Sequence, residues 1–175
     1  MEIDLKKHIR EVTDWPIKGV NFKDITTLLE DKDIFKYLID KLCEPYLNQK
    51  IDKIEGIDAR GFLFAGAMAL KLDTGVSVVR KKGKLPYKTK SREYVLEYAS
   101  NTIEMHEDTI KPNEKVIIVD DLIATGGTML ATCELVEEMN GEIIGISAIV
   151  DLPFLNGSKK LEKYNFNYLV SYDSE

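Results

Sequence analysis

Two carboxylates followed at once by small residues, Asp120-Asp121-Leu122-Ile123-Ala124-Thr125-Gly126-Gly127-Thr128, form the stretch of this chain best suited to chemistry. Before it, Val116 to Val119 are all β-branched, the pattern of a strand buried on both faces. After it, Met129, Cys133, Val136 and Met139 recur at helical spacing, and Asn140-Gly141 suits a helix C-terminus. A loop between a parallel strand and a helix offers free backbone N–H groups and the positive end of a dipole, which suits phosphate. Small side chains let that backbone come close. The stretch has neither the Gly-Lys-Ser/Thr of a Walker A loop nor the G-x-G-x-x-G dinucleotide fingerprint. Asp120 and Asp121 would repel a phosphate, so they face another part of the same ligand. Sugar hydroxyls or a hydrated Mg²⁺ are natural partners for acceptor-only groups. A phosphate on Ala124, Thr125, Gly126, Gly127 and Thr128, with a diol on the two acids, describes a ribose 5-phosphate.

Cations gather around two other strand ends. Ile51 to Ile57 reads as a strand running into Gly56-Ile-Asp-Ala-Arg-Gly-Phe62 and a helix over Leu63 to Leu72. Arg60 stands at that helix start, where the dipole disfavours a cation unless an anion sits between them. Val76 to Val79 is a third strand. It leads into Arg80-Lys-Lys-Gly-Lys-Leu-Pro-Tyr-Lys-Thr-Lys-Ser-Arg92, seven cations and no acid in a chain of net charge −6. Gly83 and Pro86 make this a loop, and its sign suits a lid over a polyphosphate. Net acidity argues against nucleic acid as a partner.

These stretches, in this order, resemble the adenine phosphoribosyltransferases of the type I phosphoribosyltransferase family. The central stretch looks like that family's motif for phosphoribosyl pyrophosphate (PRPP). Trp15-Pro-Ile-Lys-Gly-Val-Asn-Phe-Lys-Asp-Ile-Thr-Thr-Leu-Leu29 resembles its N-terminal hood, with Trp15 and Thr27 in place of the usual Phe and Pro. The resemblance implies that Phe22 stacks on the purine, that backbone around Val20 and Asn21 bonds its edge, and that Leu152 packs on its other face. It implies pyrophosphate contacts for Arg60 and the Arg80, Lys81 and Lys84 group. Tyr94-Val-Leu-Glu-Tyr-Ala99 matches the run that closes the family's mobile loop, which makes Glu97 the candidate acid/base; Ala99 replaces the usual Gly. The implied reaction is adenine plus PRPP giving AMP and pyrophosphate, with Mg²⁺ held through PRPP and water rather than by a protein metal site. A homodimer is implied too. A xanthine- or guanine-type transferase and a non-enzymatic PRPP-binding regulator are the alternatives.

The elements that must position these groups follow from the rest of the chain. Its 175 residues fit one domain, 44% apolar and 31% charged. Strands alternating with helices predict an α/β fold: a mostly parallel central sheet flanked by helices, with a hood over about 1–30 and a flap over about 81–98. A short helix is expected over 3–11, a longer one over 31–48 with Pro45 ending it, and strands over Ile143–Val150 and Phe166–Ser171. Residues 94–106 read as two strands around a turn at Ser100-Asn101. Glu104 and His106 there, and His8, read as structural. Met1-Glu-Ile-Asp-Leu-Lys-Lys has no apolar run, and no stretch of about 18 apolar residues occurs, so a cytoplasmic protein without membrane spans is expected. Cys43 and Cys133 then read as buried thiols rather than a disulfide.

Overall fold

The computed structural model describes residues 2–95 and 100–174. A 3₁₀ turn at Leu5–His8 leads into β1 (Arg10–Thr13), which pairs antiparallel with β2 (Asn21–Asp24) in a small separate sheet. The expected helix over 3–11 is therefore half turn and half strand, because Arg10–Thr13 finds backbone partners in β2. α1 (Thr26–Glu30) and α2 (Lys32–Cys43) follow. Asp31 caps α2 by accepting hydrogen bonds from Asp33 N (2.8 Å) and Ile34 N (3.2 Å), satisfying two of the free donors of its first turn. Pro45 then turns the chain into a 3₁₀ segment, Glu44–Tyr46.

Then come β3 (Lys53–Ile57), α3 (Gly61–Leu72), β4 (Gly75–Lys81), β5 (Thr89–Val95), β6 (Ser100–His106), β7 (Lys115–Ile123), α4 (Gly127–Glu138), β8 (Glu142–Asp151) and β9 (Phe166–Ser171). Seven of these strands form one sheet in the order β5-β6-β4-β3-β7-β8-β9. The run β4-β3-β7-β8-β9 is parallel, while β6 pairs antiparallel with both β4 and β5. The parallel strands thus end along one edge, the place where open α/β sheets bind ligands.

Strand β7 shows how the core is built. Ile117 and Val119 face one side, against Leu38 of α2 and Phe64 and Met68 of α3. Val116 and Ile118 face the other, against Met129, Cys133 and Val136 of α4. All four are fully buried, each contributing roughly 1.5–3 kcal/mol. The acids at the end of β7 are therefore carried by one of the most firmly fixed strands in the molecule. Asn140, in the left-handed conformation (φ 59°), ends α4, and the Gly141 N–H bonds Val136 O at 2.9 Å. Cys43 and Cys133 are free and buried, and desolvation pushes their thiols up to about 11 and about 12.

Two further expectations change. The basic run is not one loop: Arg80 and Lys81 end β4, and Thr89 onward is β5, paired with β6 from Thr89↔His106 to Val95↔Ser100. Ser100 and Asn101 accordingly begin β6 instead of forming a turn. The hairpin's register, not its composition, decides both. Among the described residues no helix is long and apolar enough to cross a membrane.

Candidate active site

β7 runs through both acids as far as Ile123, so Asp120 and Asp121 are strand residues with opposite orientations. Asp121 is buried and accepts from Arg60 Nε at 2.5 Å, while half of the Arg60 side chain stays exposed. The anion that offsets a cation at the start of α3 is thus in part a protein carboxylate, supplied by the neighbouring strand. Asp120 keeps some solvent contact and accepts from the Asp121 N–H at 2.8 Å. Burial, and then the charge of Asp121 beside it, push the Asp120 carboxyl well above the usual carboxylate range. α3 approaches so closely that a Cβ at Gly61 would lie 2.8 Å from Val119 O and 3.2 Å from Asp120 Oδ1.

A cavity of about 640 Å³ opens over these strand ends, lined among others by Arg60, Arg80, Lys84, Tyr94, Asp120 and Thr128. Lys81 and Asp121 line it as well. Arg80 is aimed by Asp58, whose Oδ2 accepts from its Nε at 3.2 Å, and by Lys84 O at 3.4 Å. Its guanidinium lies 5.8 Å from the Phe62 ring. Glu104, buried on β6, accepts from the Gly83 N–H at 2.9 Å and ties down the turn carrying Lys84. That bond gives Glu104 a structural task, as its position in a strand suggested.

A smaller cavity of about 100 Å³ lies beside the first, lined by Ala124, Thr125, Gly126, Gly127 and Thr128 together with Asp120. Gly126 adopts φ 74°, a conformation that suits glycine, and begins α4. Among the described residues no side chain caps this helix end, and its first turn carries no acid. Its N-terminal donors and dipole are left for an anion. The Tyr94 ring covers the helix start, for a Cβ at Gly127 would lie 3.0 Å from Tyr94 Cδ2.

The third cavity, about 400 Å³, sits under β1 and β2 and is lined by Val12, Trp15, Phe22, Asp24 and Arg60. Phe22 meets the Trp15 ring edge-on, with centroids 4.5 Å apart. Arg60 is common to this apolar cavity and the charged one. Val20 and Asn21 do not line it. Val20 O accepts from Trp15 N at 3.1 Å, Val20 N bonds Ile17 O at 3.3 Å, and Asn21 Nδ2 donates to Glu11 at 2.5 Å. Leu152 packs against the core and bonds Ile123 O through its own N–H at 3.0 Å, away from the Phe22 cavity. Glu97 lies outside the described residues. A groove of about 690 Å³ between residues 2–6 and β9 contains none of the strand-end groups.

Several contributors were not singled out from the sequence. Asp58 lies inside the quoted Gly-Ile-Asp-Ala-Arg-Gly run, and its place before Arg60 was the available signal. Tyr94 precedes the Leu-Glu-Tyr run, but nothing local says that it lands on Gly127. Asp24 accepts from Thr26 N (3.0 Å) and Oγ1 (2.6 Å), which holds its own carboxyl low and fixes an acid near Arg60.

Residues 24–171 match the family model described as the phosphoribosyl transferase domain. The adenine phosphoribosyltransferase of Brachyspira hyodysenteriae is 55% identical over 170 residues, 97% of this chain and all of that protein. The crystal structure of the Thermoanaerobacter pseudethanolicus adenine phosphoribosyltransferase superposes with a TM-score of 0.93 at 44% identity, covering 97% of this chain and 98% of that one. The Saccharomyces cerevisiae enzyme, solved with an imino-altritol bisphosphate and adenine, gives 0.90 at 36% identity, over 95% and 97% of the two chains. With the sheet order, the strand-end acids and this likeness over nearly the whole length, the chain belongs to the adenine phosphoribosyltransferases, pentosyltransferase enzymes of the type I fold.

Proposed function

We propose that the three cavities are parts of one reaction site in which adenine and PRPP meet, the apolar and charged cavities sharing Arg60 and the charged and loop cavities sharing Asp120 and Thr128. The apolar cavity receives the base, with Phe22 against its face; Val20, Asn21 and Leu152 do not line that cavity and would meet the base only by moving over it. The loop Ala124–Thr128 takes the 5-phosphate on its N–H groups, and Asp120 and Asp121 accept from the ribose hydroxyls. Arg60, Arg80, Lys81 and Lys84 stabilise the charge that grows on the departing pyrophosphate. The observation that carries this reading is Arg60, which is anchored by an acid at a strand end and lines both the base cavity and the charged one.

The bond between the ribose carbon and pyrophosphate breaks as the purine nitrogen bonds to that carbon, and the nitrogen's proton passes to Glu97. Closing the flap, about residues 81–98, keeps water from the electron-poor ribose carbon. Mg²⁺ fits this donor set. Among the described residues no three His, Cys, Asp or Glu side chains converge to hold a metal. Mg²⁺ keeps several waters and binds through phosphates, so it would be held by PRPP oxygens and water beside the two acids rather than by a protein metal site. When bound to PRPP oxygens it neutralises part of the leaving group's charge.

Phe22→Ala tests the base half. Stacking of a base on an aromatic ring is worth about 1–3 kcal/mol, so KM for adenine rises roughly 5- to 140-fold with KM for PRPP little changed. Unchanged adenine KM in steady-state assays would remove the base from this cavity. We also propose one domain over 1–175, a cytoplasmic location and a homodimer, closed twofold assemblies being the commonest. Light scattering that returns only the 19.9 kDa monomer at assay concentration would refute the dimer.

A further inference from the structure

The loop that receives the 5-phosphate does not stand alone. Its backbone rests on a second loop, the turn after β8. A Cβ built at Gly157 would lie 2.1 Å from Ala124 O and 2.8 Å from Gly126 N. In the other direction, a Cβ at Gly126 would lie 2.6 Å from Gly157 O and 3.0 Å from Gly157 Cα. Real side chains do not approach backbone so closely, and neither contact is with a flexible side-chain end that could swing away. Gly157 itself has ordinary right-handed angles, φ −66° and ψ −44°. Any residue could adopt that conformation, so the demand for glycine here is one of contact alone.

The turn is held from several sides. Asn156 takes the left-handed conformation with its N–H on Pro153 O at 2.9 Å. Lys160 N bonds Gly157 O at 3.1 Å. The buried Asp151 carboxyl at the end of β8 lies near Ser158, whose influence partly offsets the upward push of burial. Leu161, fully buried, pins the following 3₁₀ turn to the core under α4. Above the loop, Tyr94 covers Gly127. The phosphate loop is thus clamped between a rigid turn and an aromatic ring.

We infer that Gly157 is a positioning residue for the 5-phosphate: the bare backbone of the Asn156–Ser158 turn is the floor that sets the height of Ala124 to Gly127. This rests on the reading of that loop as the phosphate site. An added methyl must push Ala124 and Gly126 away, tilting the N–H groups that would point at the phosphate. The base cavity and the Arg80–Asp58 pair are not touched by that shift, so its effect is confined to one substrate. A displacement of this kind costs well over tenfold when it falls on a binding contact.

Steady-state kinetics of the full chain with adenine, PRPP and Mg²⁺ test this. For Gly157→Ala the expected result is a rise of about tenfold or more in KM for PRPP, with KM for adenine unchanged and kcat at saturation largely kept. The thermal midpoint is expected to fall too, since the methyl meets backbone atoms that cannot swing aside, so the split between the two KM values is the deciding readout. Unchanged KM for PRPP overturns the inference, as does an equal loss in both KM values and kcat. Should Gly157→Ala not fold, Asn156→Ala decides: it strains the left-handed position that sets the turn before Gly157 without filling the contact with Ala124. A rise of about threefold in KM for PRPP alone supports the positioning role, and no rise overturns it. Thr128→Ala separates the two levels. If it leaves KM for PRPP unchanged, the phosphate site itself is wrongly placed; if it raises KM while Gly157→Ala does not, only the role of Gly157 fails.

Discussion

Glu97→Gln is expected to lower kcat by about 10²–10⁴-fold and to leave PRPP affinity nearly intact, because a positioned general acid or base acts in the transition state and not in binding. Glu97 follows seven cations in sequence and stands three residues after Tyr94, which lines the charged cavity and packs on the start of α4. Nearby positive charge favours its carboxylate, the form that accepts a proton from the purine. A residue that merely pairs with a flap lysine behaves differently. In that case PRPP affinity and kcat fall together, and Glu97→Ala resembles Glu97→Gln. Near-native kcat for the Gln variant at saturating substrates would end the acid/base assignment and leave the chemistry to electrostatics and dehydration.

Asp120→Asn is expected to weaken PRPP binding by about 1.5–3 kcal/mol, roughly 10- to 140-fold, the worth of hydrogen bonds to a charged acceptor. The free protein holds this carboxyl above its usual range through burial and the charge of Asp121. Ribose hydroxyls and Mg²⁺-bound water donate, so they favour the ionised form. PRPP binding therefore releases protons from Asp120, and affinity falls as pH is lowered through its raised folded-state value. The stability sign is the reverse. A carboxyl whose folded pKa is raised costs stability above its unfolded value, about 3.9, and that cost is complete once pH exceeds the folded value. Asp120→Asn is thus expected to make the free protein more stable at neutral pH while binding PRPP worse. Calorimetry in buffers of different ionisation enthalpy reads the proton release, which the variant should lose. Equal affinity and equal proton release in both proteins would contradict this assignment.

How much of this was legible in the sequence depends on the range of each signal. Val116 to Val119, the acids after them and the glycines before Met129 are contiguous, so the strand, its terminal acids and the loop into α4 could all be read from local pattern. The end of α4 at Asn140 was legible for the same reason. Arg60 was legible as a cation needing an anion, but its partner Asp121 is 61 residues away, and no local pattern names it. Thr89 to Arg92 reads as loop because its charges hide the start of a strand whose partners lie in β6. The same holds for Gly157: its place as the floor under Ala124 comes from two loops meeting after separate strands. Contacts between distant strand ends, and not the elements themselves, are what one chain read alone withholds.

Pyrophosphate release from PRPP and Mg²⁺, measured with adenine, hypoxanthine, guanine, xanthine and orotate in turn, tests the central claim most directly. The account predicts rapid release with adenine, matched by AMP, and little with the other bases. Equal turnover of hypoxanthine or guanine, or PRPP binding with no release for any base, would contradict it.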